Sequence, residues 1–391
     1  LTMPDLTMPD LTMPDLTMPD LTMPDLVKED MVVSPDLLTS PVSFTMQGTV
    51  TNFNGVNVAF ATGDFTVDNK QDLVVAARDS GIRILRGVGD GSFVLNPNAY
   101  GASQGLRVCV AGNLNGDAKP DLVTTGASGN GTLHTMINDA MMGGQGSFKI
   151  ANEWSVGGTL PWRLVVNDWN MDGNMDVAVI LSGGVVSVLR GDGAGGFAAN
   201  PVKLTFMNPT NLASADWSGD GLSDLAVLTS KGVELVKGWG NGTFQAPVIT
   251  TLPGGITPQG LVGGNFDGDT WLDMAVSFGG AGGGVVLLQG APNGVFTVGG
   301  QASVNVSNTV AGLVVGDFNK DKVMDFVVGN VGVQKFTLFL GEGKAKVKPG
   351  ITFGSGSDPI DLTLGDWNGD GKSDIAILSA TQITVALNTT P

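Results

Sequence analysis

The sequence contains one cysteine, one histidine and one tyrosine. A lone Cys109 excludes an internal disulfide framework, and its place in the apolar run 106–110 marks it as a small buried hydrophobe. A lone His134, in a strand-like stretch, has no evident nucleophile or second metal ligand beside it and reads as structural. Glutamate is scarce, and the chain has no phosphate-binding loop, Cys/His cluster or nucleophile elbow, so the sequence offers no catalytic machinery. Basic residues are few as well. With 20 Lys and Arg against 37 Asp and Glu the net charge is −17, which disfavours nucleic acid and anionic membrane as partners, because both need a basic surface. No apolar run reaches the about 18 residues of a membrane span. The chain opens at Leu1 without Met or a signal-peptide pattern, as a processed or partial chain would.

What is abundant is glycine, 59 residues, and repetition. Residues 1–25 are five copies of Leu-Thr-Met-Pro-Asp. A proline every fifth residue forbids helix interior and central strand and pushes the preceding Met towards extended angles. In polyproline II form the array would reach about 80 Å. Each repeat exposes a Leu and a Met, which on a bare strand favour association. Two coverings are open: sugars, with Thr2, Thr7, Thr12, Thr17 and Thr22, and Pro4, Pro9, Pro14, Pro19 and Pro24 if hydroxylated, as candidate O-glycosylation positions, or packing against copies of the segment in a fibre. A flexible spacer is the third option. Residues 26–41 degrade the repeat and read as a linker.

From residue 42 a second repeat takes over, built on a nine-residue acidic loop. Its first positions are Asp64, Asn113, Asp168, Asp216, Asn265, Asp317 and Asp366, at steps of 49, 55, 48, 49, 52 and 49 residues. The third positions are Thr66, Asn115, Asn170, Ser218, Asp267, Asn319 and Asn368. Asp68, Asp117, Asp172, Asp220, Asp269, Asp321 and Asp370 occupy the fifth, and Asp72, Asp121, Asp176, Asp224, Asp273, Asp325 and Asp374 the ninth. Oxygen donors at alternating positions of a curled loop suit Ca²⁺, which takes six to eight oxygens. At the seventh position Lys70, Lys119, Asn174, Leu222, Trp271, Val323 and Lys372 would give only a backbone carbonyl. The loop starting at Asn113 holds two carboxylates and should be the weakest of up to seven Ca²⁺ sites. An EF-hand is excluded, because its bidentate acid at position 12 is replaced by Val75, Thr124, Val179, Val227, Val276, Val328 and Ile377. A calcium-binding β-helix, with a period of nine residues, is excluded by the spacing.

A period near 49 with four short apolar segments per unit predicts an all-β, seven-bladed propeller over 42–391. An apolar stretch leads into each loop, for example 56–62 and 164–166. A continuous apolar run follows it (73–76, 177–181, 375–378), then a third strand (82–85, 185–189, 233–236, 285–288), then a Gly-rich turn whose Phe93, Phe197 or Phe244 opens a fourth. The last unit stops after its third strand, and residues 42–50 align with a fourth strand, so the N-terminal strand would complete the ring.

Gly63-Asp-Phe, Gly316-Asp-Phe and Gly365-Asp-Trp, followed by Asn-Gly-Asp-Gly-like loops, resemble the FG-GAP or VCBS repeat family, also found in the integrin α-subunit head. The resemblance covers the chain from about residue 42 to its end. It implies a seven-bladed propeller with Ca²⁺ in its inter-strand loops, typically extracellular and used in adhesion, carbohydrate binding or as an accessory domain. Trp169, Trp217 and Trp367, at second loop positions, read as blade packing. Sugar-stacking aromatics would be sought at Trp162, Trp239 and Trp271, although packing is favoured there too. Asn130, Asn241, Asn305 and Asn388 head N-glycosylation sequons. The combination predicts a secreted, Ca²⁺-stabilised structural or adhesive protein without enzymatic activity, self-associating through the repeats or their glycans. The alternative is a lectin-type propeller on a flexible tether, binding extracellular glycans.

Overall fold

The computed structural model describes residues 42–391 except 52–54, 79, 102–105, 127–130, 142–143, 281 and 305–308. The pentapeptide array with its ten candidate O-glycosylation positions, the linker, Asn130 and Asn305 lie outside the described residues.

Seven four-stranded antiparallel sheets succeed one another along the chain. Blade one is typical: Asn57–Gly63, Asp72–Ala77, Gly81–Gly87 and Phe93–Leu95 pair in sequence order. The innermost strands of the seven blades are Asn57–Gly63, Val108–Gly112, Arg163–Asn167, Asn211–Ala215, Ile256–Gly264, Val310–Gly316 and Asp361–Gly365. Each touches the next, and Asp361–Gly365 touches Asn57–Gly63, so the inner strands form a closed ring around a channel. In the seventh blade Asp361–Gly365, Asp374–Leu378 and Ile383–Asn388 are joined at the outer edge by Phe44–Met46, with Phe44 opposite Asn388 and Met46 opposite Ala386. A short hairpin, Gly341–Gly343 with Lys346–Val347, is inserted in blade six.

The core explains the pattern of apolar runs. It divides into seven clusters, each shared by two adjacent blades, such as Trp367, Leu378 and Val385 with Leu73, Val75 and Leu85 between blades seven and one. A blade is covered on both faces, so its second strand cannot alternate. Asp176–Leu181, Asp224–Thr229 and Asp325–Asn330 are buried at every position, and each Val, Leu or Ile so enclosed contributes about 1.5–3 kcal/mol. Trp169, Trp217 and Trp367 are 1–2% exposed within these clusters. The residues at loop position 12, from Val75 to Ile377, are fully buried in the second strands.

Two details differ from the sequence reading. Phe93 does open its fourth strand, but Phe197 and Phe244 form isolated bridges to Gly191 and Gly238, and the fourth strands start later, at Val202–Thr205 and Val248–Thr250. Pro201 and Pro247 stand immediately before those strands, and a residue without an N–H delays the ladder until after it. Asn388 is 1% exposed, and its side-chain amide donates to the Phe318 carbonyl at 2.9 Å. That nitrogen is the one a glycan would occupy, so in this fold the Asn388 sequon is closed. Asn241 is exposed.

Candidate metal centres

Every acidic loop joins the end of an innermost strand to the start of the second, so all seven lie on one face of the ring. The ninth-position aspartates anchor them. All seven are fully buried, with one carboxylate oxygen accepting a backbone N–H from loop position 2 or 3. The other oxygen accepts the N–H at the end of the third strand, from Gly87, Asn138, Gly191, Gly238, Gly290, Gly341 or Asn388. At Gly87 a Cβ would lie 2.1 Å from the Gln71 carbonyl oxygen, which accounts for glycine there. Asn138 and Asn388 instead send their amides to Phe65 and Phe318 of the preceding blade, tying neighbouring loops together.

First-position aspartates accept from the N–H groups of positions 5 and 6. Asp64 takes Asp68 and Asn69 at 3.0 and 2.8 Å, and Asp366 takes Asp370 and Gly371 at 3.1 and 2.9 Å. The fifth-position carboxylate takes the N–H of position 7, as Asp321 does from Val323 at 2.8 Å. Such curls put positions 4 and 6 at positive φ, Met171 at 59° and Ala118 at 66° among them. At position 7, Lys70, Lys119 and Lys372 donate to the carbonyls of Val88, Asn138 and Thr390, and Lys119 and Lys372 also approach Asp117 and Asp370 at 3.4 and 3.7 Å.

These loops carry electrostatic cost. Burial pushes Asp325 up to about 7 and Asp72, Asp176 and Asp374 up to about 6, with repulsion from other acids of the same loop adding to it, against the backbone donors. Asp121, Asp224 and Asp273 are raised for the same reasons. At position 3, the buried hydroxyls of Thr66 and Ser218 face the ninth-position carboxylates of Asp72 and Asp224 and partly offset the cost of their burial. Buried oxygen donors and mutually repelling carboxylates fit a hard cation. Among the described residues no three carboxylate, imidazole or thiol groups converge at ligating distance, so the side chains of positions 1, 3 and 5 would have to turn inward around an ion.

The opposite face, where the innermost strands begin, has another character. The channel opens there as a cavity of about 930 Å³ lined by Asn57, Arg78, Arg107, Trp162, Arg163 and Asp361 among others. Trp162, on this lining, is 48% exposed; on the acidic-loop face Trp239, next to Gly238, is 59% exposed and Trp271 is half-buried over Gly219 of the neighbouring loop. The three arginines escaped the sequence reading because they are far apart in the chain. Their common signal is position: Arg107 and Arg163 stand at the entry to innermost strands and Arg78 just past the end of a second strand. His134 is buried beside Glu153, 3.6 Å away; burial holds its imidazole below the usual range while Glu153 opposes the shift. Burial pushes the Cys109 thiol up to about 12, the behaviour of an inert core residue.

The closed ring of seven blades with an acidic loop between the first two strands of each defines the molecule as a seven-bladed β-propeller of loop-bearing repeats. The chain belongs to the FG-GAP-like repeat family: its model matches five times, at residues 64–124, 113–179, 168–227, 216–276 and 265–328, each match running from one acidic loop through the next. No curated protein matches the chain. Among solved structures, an Agrocybe aegerita lectin, described in terms of specific recognition of non-reducing terminal N-acetylglucosamine, is 16% identical with a TM-score of 0.56, covering 86% of each chain. BBS1N in complex with ARL6DN, soaked with lead, is 12% identical with a TM-score of 0.61, covering 89% of this chain and 97% of that one. At these identities the likeness is one of fold.

Proposed function

We propose that the chain is a secreted, non-enzymatic adhesive or structural protein whose propeller is held rigid by Ca²⁺ in its acidic loops. The observation that carries the metal reading is that in every loop a fully buried ninth-position carboxylate faces at least one further acid of the same loop that repels it, with the buried oxygens of Thr66 and Ser218 beside it in two of them. Ca²⁺ would be held by the side chains at positions 1, 3, 5 and 9 and the carbonyl at position 7, supplying charge neutralisation to a rim that otherwise stores repulsion. The loop at Asp168, with three carboxylates and Asn174 rather than Lys at position 7, is the strongest candidate. In the loop at Asn113 the Lys119 ammonium already sits beside one of two carboxylates, which supports its place as the weakest. FG-GAP repeats are typical of extracellular proteins, where Ca²⁺ near millimolar can fill weak sites. Among the described residues no helix is long and apolar enough to cross a membrane.

In this reading the pentapeptide array provides reach or the means of self-association, sheathed in glycan or packed in a fibre. Intact mass and negative-stain imaging of native material, with and without a chelator, test it. A mass well above the 40.0 kDa of the polypeptide together with filaments is expected. An unmodified monomer indifferent to chelation would overturn it.

A second reading, glycan recognition by the propeller itself, is favoured by one observation: two tryptophans, Trp162 at the channel mouth and Trp239 beside the acidic loops, are 48% and 59% exposed. The fold shared with a lectin is consistent with that reading.

A further inference from the structure

The channel mouth opposite the acidic loops concentrates charge of the minority sign. The chain has six arginines, and three of them, Arg78, Arg107 and Arg163, line this one cavity. All three are exposed, and among the described residues none has a salt bridge or side-chain hydrogen bond; Arg83 and Arg190, by contrast, donate to the carbonyls of Pro97 and Asn241. Among the described residues the single acid on the lining, Asp361, is near enough to Arg163 to feel its charge but lies beyond salt-bridge distance. A second cavity of about 320 Å³ runs off between blades three and four and shares Arg107, Trp162 and Thr210 with the channel. Asn57, also on the channel lining, is 1% exposed, and its Oδ1 has no hydrogen-bond partner among the described residues.

We propose that this mouth is a binding site for an acidic sugar, a hexuronate or comparable singly charged unit of a glycan. Its carboxylate is taken by Arg107 and Arg163, its ring face rests on Trp162, and its hydroxyls reach Asn57 Oδ1 and the polar rim. Free guanidinium groups match a carboxylate in a planar, bidentate way. An indole with nearly half its surface open beside them offers the apolar platform that a pyranose face needs. The whole-molecule field narrows the ligand further. With a net charge of −17 the protein repels polyanions of high charge density at long range, so the arginines serve short-range capture of one negative group rather than nucleic acid.

The inference rests on the glycan-recognition reading and adds to it the site and the charge of the ligand. The test is titration calorimetry of the full chain in Ca²⁺-containing buffer with glucuronate and galacturonate oligosaccharides and with their neutral hexose counterparts. Uronates should bind at least about tenfold more tightly than the neutral sugars, since hydrogen bonds to a charged group weigh that much. Affinity should fall with added salt. Arg107→Gln and Trp162→Ala should each weaken uronate binding about tenfold or more, Arg107→Gln without lowering the melting temperature because its side chain is exposed. Lys335→Gln, exposed and absent from both cavity linings, should change nothing. Equal binding of neutral and acidic sugars, or an Arg107→Gln variant that binds uronate normally, would overturn this site while leaving glycan recognition standing. Binding of neither class overturns both. Binding of a poly-glutamate peptide that depends on Arg107 but not on Trp162 would replace the sugar with an acidic peptide and also overturn the proposal.

Discussion

The residue that shapes this protein most often is the ninth-position aspartate. Each stands fully buried, satisfies two backbone N–H groups and so staples the loop to the end of the third strand. Asp325→Ala should cost about 2–4 kcal/mol by orphaning the N–H groups of Phe318 and Gly341, read as a drop in the urea midpoint at unchanged slope. Ionisation of these groups opposes folding when no cation is present. Their folded-state pKa values, about 6 for Asp72, Asp176 and Asp374 and about 7 for Asp325, lie above the ordinary 3.8. Between pH 4 and 7 the native state therefore holds more protons than the unfolded one, and stability is lost as pH rises through that window. In a chelator the melting temperature should fall from pH 4.5 to 7.5, and millimolar Ca²⁺ should flatten or reverse the trend. A fall of equal size with and without Ca²⁺ would count against metal in the loops. Ala118, exposed at φ 66° in the second loop, carries a left-handed conformation that glycine takes at the same position in three other loops. Ala118→Gly should stabilise by about 0.5–1 kcal/mol, the left-handed penalty less the added chain entropy, measurable by calorimetry.

At the scale of elements, the strand that matters most is only three residues long. Phe44–Met46 supplies the outer strand of the seventh blade, and Phe44 packs edge-to-face against Phe318, Phe336 and Phe353 with centroids 5.1–5.9 Å apart. Phe44 is half-buried, so Phe44→Ala should cost about 2 kcal/mol. Hydrogen exchange should show the loss first in Ile383–Asn388, whose edge would open. The second strands were legible from sequence because burial on both faces leaves an unbroken apolar run. The fourth strands were not. They are short and half-exposed, and after Phe197 and Phe244 a proline displaced them by several residues. The Asn388 sequon had the right letters, and only packing revealed that its amide was already engaged with the Phe318 carbonyl.

At the scale of the whole molecule, charge is segregated by face: the seven acidic loops crowd one side of the ring, and three arginines gather at the channel mouth on the other. Seven divalent ions would offset most of the −17, with their fourteen charges set among the twenty loop carboxylates. Chelation should therefore lower stability most at low ionic strength, and added monovalent salt should restore part of it by screening, visible in melting curves from about 10 to 500 mM NaCl. The covalent order of the chain determined the repeat, its period, its acidic loops and the family, because each blade writes its own turn chemistry and apolar runs locally, seven times over. Only the closed ring decided which tryptophans are core and which are surface, which sequon is open, and that Arg78, Arg107 and Arg163 share one cavity. Those are relations between blades, and no stretch of one blade contains them.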